Sequence, residues 1–121
     1  MTAQEIIEGL RTSQEPSREL DAQIAEFVGF KKVEQGSKVI WLAPWGTEPT
    51  KIPYYSRSID QALQLAQERF PSDMCAFSWE PNNASAKLGK NEFVTAANPA
   101  LAICLAVFTA ATLPQNVTNL R

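Results

Sequence analysis

Two adjacent tyrosines, Tyr54 and Tyr55, followed by Arg57 and by Ser58 at a helix start, are the residues whose types and spacing suit ligand chemistry. Aromatic faces stack on a base, a guanidinium meets phosphate as a fork, and the free N–H groups of a first helical turn receive an anion. Trp41 and Trp45 lie upstream, and Arg18 opens an earlier helix. The candidate ligand-binding set is therefore Arg57, Tyr55, Tyr54, Arg18, Trp45 and Ser58. Packing is the competing reading: alternation along an extended entry sends one tyrosine to the core and the other outward. Under it Arg18 serves an ion pair, Asn98 caps a helix, Lys87 and Lys90 belong to a solvated loop, and Trp79 is core.

Catalysis has less to work with. The sequence has no histidine, which removes the commonest general base and the commonest neutral metal ligand. No motif for catalysis, metal or cofactor stands out, and Glu19 and Asp21, which do not face each other on a helix, read as solvent charges. We therefore expect a non-enzymatic protein with no cofactor. A net charge of −2 with scattered basic residues argues against a duplex nucleic acid partner. The two cysteines, Cys75 and Cys104, sit in apolar runs with no signal-peptide pattern ahead of them, which points to buried, reduced thiols in the cytoplasm.

At 121 residues and 45% hydrophobic content, the chain suits one domain over 1–121. Thr2 and Glu5 have capping-box spacing for a helix to Leu10 or Arg11, the alternative being a loose arm over 1–16. Ser17 caps a second helix with Leu20, Ile24, Phe27 and Val28 inward, and Gly29 stops it. Strands flank Gly36-Ser37; the segment Pro44 to Pro53 reads as loop or extended ribbon. Ser58 and Gln61 form a second capping box, so a middle helix begins at Ile59. Met74 to Glu80 has strand composition, with a partner near Ser85 to Leu88 or Glu92 to Thr95.

Asn98 and Pro99 start a closing helix that is apolar almost all round to Ala111, and 115–121 reads as a flexible tail. That helix is too short for a membrane span. Its apolar surface exceeds what one small sheet covers, which predicts a homo-oligomer. The order is (α)-α-β-β-α-β-β-α, an α+β fold with a small antiparallel sheet and packed helices.

Three stretches resemble a family of phage and prophage proteins, the phage ABA sandwich domain. Ser17-Arg18-Glu19-Leu20-Asp21 with Ile24-Ala25 and Gly29 looks like its opening helix. Pro53-x-Tyr55-Ser56-x-x-Ile59-Asp60-x-Ala62 is similar to its entry into the middle helix, and Asn98-Pro99-Ala100-Leu101-Ala102-Ile103-Cys104-x-Ala106 looks like its closing helix. The resemblance implies an α-β-α sandwich encoded by a phage, located in the host cytoplasm, and carries over no catalytic residues. By analogy with small phage proteins that counter host defence, it suggests capture of a cyclic or modified nucleotide used in immune signalling. The alternative is a protein–protein interaction module that inhibits a host or phage protein.

Overall fold

Each helix starts where a short polar side chain can take up N–H groups that have no partner within the helix. The computed structural model describes residues 2–113, and in these it has four helices and two antiparallel sheets, an α+β fold. Helix α1 (Ala3–Thr12) carries the full capping box: Thr2 accepts from the Glu5 N–H and the Glu5 carboxylate accepts from Thr2 N–H at 2.9 Å. Those bonds from Thr2 hold the Glu5 carboxyl below its ordinary pKa. Ser17 caps α2 (Arg18–Phe27), Ser58 caps α3 (Ile59–Arg69), and Asn98 caps α4 (Pro99–Ala111).

The expected box at α3 is only half formed. Ser58 Oγ accepts from Gln61 N–H, but the Gln61 carboxamide turns back to accept Tyr54 N–H. The reason is local: Ser58 N–H is already satisfied by the Tyr54 carbonyl at 2.8 Å.

Strands β1 (Lys31–Gln35), β2 (Lys38–Leu42) and β3 (Pro49–Thr50) form the first sheet in that order. The β1–β2 turn uses Gly36 at φ 64°, with no positive φ at Ser37, the pattern of a type II′ turn that suits the strand twist. Strands β4 (Cys75–Trp79), β5 (Ala84–Leu88) and β6 (Val94–Ala96) form the second sheet. The single sheet expected from sequence is thus two, because each strand pairs only with its sequence neighbour and α3 separates the two groups. The added strands β3 and β6 come from stretches read as loop or as an alternative partner.

α4 is the hub: α1, α3 and all three strands of the second sheet pack on it. Every residue from Ala100 to Phe108 is buried, with Ala84, Ala86 and Leu88 of β5 beneath and the Phe108 ring edge-on to Phe27 at 5.0 Å. This removes the stated ground for a homo-oligomer, since α4's apolar surface is covered within the chain. The first sheet packs extensively only within itself, and reaches the core margin through Trp41. Two further expectations need correction. Trp79 is 68% exposed at the end of edge strand β4, and Cys75 on the same strand is half-buried, because α4 lies over the centre of the sheet rather than its rim. Cys104 is buried and both thiols are free. No helix among the described residues is long and apolar enough to cross a membrane, and the tail over 115–121 lies outside them.

Candidate functional site

The stretch around Tyr54 and Tyr55 is held by a buried polar knot. Ser56 is wholly buried; its hydroxyl accepts from Ser17 N–H at 2.8 Å and donates to the Ser17 carbonyl at 3.1 Å. Its own N–H donates to Asp21 Oδ1 at 2.8 Å, and its carbonyl accepts from the Asn98 carboxamide at 3.3 Å. Beside it the Cys104 thiol points at the Tyr55 carbonyl at 3.4 Å. Asp21, read from sequence as a solvent charge, is 1% exposed. It is tolerated there because Oδ2 accepts from Arg18 at 2.8 Å while Oδ1 takes the Ser56 N–H, so both oxygens are partnered.

Arg18 completes the clamp. Its guanidinium donates to the Pro53 carbonyl at 3.1 Å and the Ile52 carbonyl at 3.2 Å, and lies 3.9 Å from the centre of the Tyr54 ring. The planar fork matches two successive carbonyls, which a lysine ammonium would not do. Arg18 and Tyr54 are therefore brought together, but to each other. Tyr55 is in the core at 5% exposure, and burial first, with the nearby Glu68 adding, raises its hydroxyl well above the ordinary value. Arg57 is exposed over an open depression shared with Tyr54, Ser58, Asp60 and Gln61, where the Asp60 carboxylate opposes an anion. Trp45, 78% exposed, stands edge-on to Phe30 at 5.8 Å and overhangs a cleft of about 140 Å³ that Tyr55 also lines. That is well under the roughly 300 Å³ at which drug-sized pockets begin. The six sequence candidates thus divide among three places.

A second open concavity of ligand size, comparable with the depression of about 660 Å³ at Arg57, lies elsewhere. By pinning Ile52 and Pro53 to α2, the Arg18 clamp holds the chain leading out of β3 alongside that helix. An open trough of about 740 Å³ results, lined by Arg18, Lys32, Trp41, Thr50, Lys51 and Ile52 among others. Strand register brings its floor together: Trp41 is opposite Lys32 on one side and Thr50 on the other, so all three side chains share one face of the sheet. None of the lining residues is acidic, and among the described residues Lys32 and Lys51 form no ion pair. An indole sharing a concavity with two lysines that form no ion pair, and with Arg18 already paired to Asp21, can hold a planar anion, with the ring against Trp41 and negative charge on the lysines.

Lys32 and Lys51 were not singled out in the sequence, although the signal for Lys32 was present. A two-residue turn at Gly36-Ser37 fixes Lys32 opposite Trp41. Lys51 gave no such signal, because the two-residue β3 has no periodicity of its own. Among the described residues no cluster of side chains suits a metal ion. Compared with known proteins, the chain matches no family model, no curated sequence and no solved structure.

Proposed function

We propose that this protein binds a small anionic ligand of the nucleotide class in the trough beside α2, without transforming it. The observation that carries the reading is that Lys32 and Lys51, which form no ion pair among the described residues, line one concavity with Trp41 and no acidic residue. Lys32 and Lys51 meet phosphate as mobile point charges, and the indole supplies the stacking face, worth about 1–3 kcal/mol per base where such contacts have been removed. Arg18 contributes through its remaining N–H groups while its clamp keeps the wall in place. The absence of histidine from the sequence supports capture over turnover. With the phage resemblance, capture of this kind amounts to removing a signalling nucleotide from the host.

Calorimetry with mononucleotides and with cyclic and linear dinucleotides tests this on wild type, Lys32→Ala, Lys51→Ala and Trp41→Leu. Saturable binding by wild type, weakened about tenfold or more by each substitution, is the expected result. A panel that produces no heat, or binding indifferent to all three changes, rejects it. A second reading, docking of a protein, is favoured by the exposure of Trp45. Retention of nucleotide binding by Trp45→Ala separates the two surfaces.

A further inference from the structure

β4 is an edge strand: among the described residues its one neighbour is β5, with which it pairs from Cys75↔Leu88 to Trp79↔Ala84. In an antiparallel ladder, residues alternate between those whose backbone groups bond to the neighbour and those whose groups point away. Flanking bonds fix which are which here. Gly89 N–H donates to the Met74 carbonyl and Glu80 N–H to the Asn83 carbonyl, both at 2.7 Å, so the even-numbered residues of β4 are bonded to β5. The N–H and C=O groups of Cys75, Phe77 and Trp79 therefore face outward from the sheet edge.

The usual protections of such an edge are missing. From Met74 to Trp79 there is no charge, no proline and no glycine, and Met74 and Trp79 are 64% and 68% exposed. The same three residues have a second property. Laid antiparallel against its own copy with Phe77 opposite Phe77, the strand sets Cys75 opposite Trp79 on both sides of the two-fold. The outward-facing groups are then the ones in hydrogen-bonded register, and each of the three pairs exchanges N–H···O bonds in both directions. Cys75, Phe77 and Trp79 share the face turned toward α4, so pairing also joins their half-exposed apolar surfaces into one row across the two chains. No like charges meet in this register: Met74 lies opposite Glu80, and Asp73 opposite Pro81.

We infer that β4 is the dimerisation strand of this protein, its partner being β4 of a second copy in a continuous six-stranded antiparallel sheet.

Trp79→Pro is the discriminating change, because it removes an outward N–H and the indole while leaving the ladder to β5 intact. In sedimentation velocity over a wide concentration range, wild type should pass from monomer to dimer. Trp79→Pro should stay monomeric with an unchanged circular dichroism spectrum, and Trp45→Ala should dimerise like wild type. As a check independent of the folding of Trp79→Pro, Trp79→Cys under mild oxidation should give a dimer linked between Cys75 and position 79 of the other chain. A wild type that is monomeric at every concentration overturns the inference, as does a dimer that Trp79→Pro leaves intact or a cross-link that maps elsewhere.

Discussion

The Asp21 carboxylate, 1% exposed, takes the Arg18 guanidinium on one oxygen and the Ser56 N–H on the other. Removing it strands a buried N–H and frees the clamp on Ile52 and Pro53 at once. Asp21→Ala should therefore lower unfolding free energy by about 2–3 kcal/mol, measured by chemical denaturation. Asp21→Asn, which keeps an acceptor for Ser56 N–H, should lose less. The residue types around the tyrosines were legible in the sequence, and so was the expectation that one tyrosine is core and the other outward; which of the two is core was not, and the structure puts Tyr55 there. The employment of the surrounding residues was not legible either. Arginine, serine and aspartate serve anion binding and chain pinning equally well, and only the distances from Ser17 and Arg18 to the 52–56 segment show that pinning is what they do.

Helix α1 meets α2 at Gly9, where an added Cβ would lie 2.8 Å from Leu20 Cδ2. Leu20 is itself buried, so its tip has little room to yield. Alanine in a helix interior is about 1 kcal/mol better than glycine, while overpacking a core costs about 1–3 kcal/mol. Gly9→Ala should thus lower the melting temperature, and adding Leu20→Val should recover part of the loss, a coupling that a double-mutant cycle reads directly. The caps and the starts of α2, α3 and α4 could be read from sequence because they depend on a residue and its third neighbour. The division of the strands into two sheets could not. It depends on which strands meet across the loop and helix between Leu42 and Cys75, and no periodicity encodes that.

For the molecule as a whole, the buried protons set an alkaline limit. Burial raises the Cys104 thiol and the half-buried Cys75 above the ordinary value of 9.0, and Tyr55 above 10.0. With folded values raised, the folded chain holds protons that the unfolded chain releases, so stability is intact below the unfolded values and falls as pH rises through and beyond them. Unfolding free energy should accordingly hold level up to about pH 8 and decline above about pH 9. Cys104→Ala and Tyr55→Phe should each flatten that decline, as denaturation at a series of pH values would show.

The central position of α4 has a consequence for how the protein is made. α4 follows in the chain every element that packs on it. While a ribosome is still extending the chain toward Pro99, the inner faces of α1, α3 and the second sheet have no cover, and the Ser56 carbonyl lacks Asn98. Folding of this core then waits for α4 to clear the exit tunnel, instead of advancing element by element behind synthesis. Throughout that interval the nascent chain exposes apolar surface of the kind chaperones recognise, the uncharged β4 edge included.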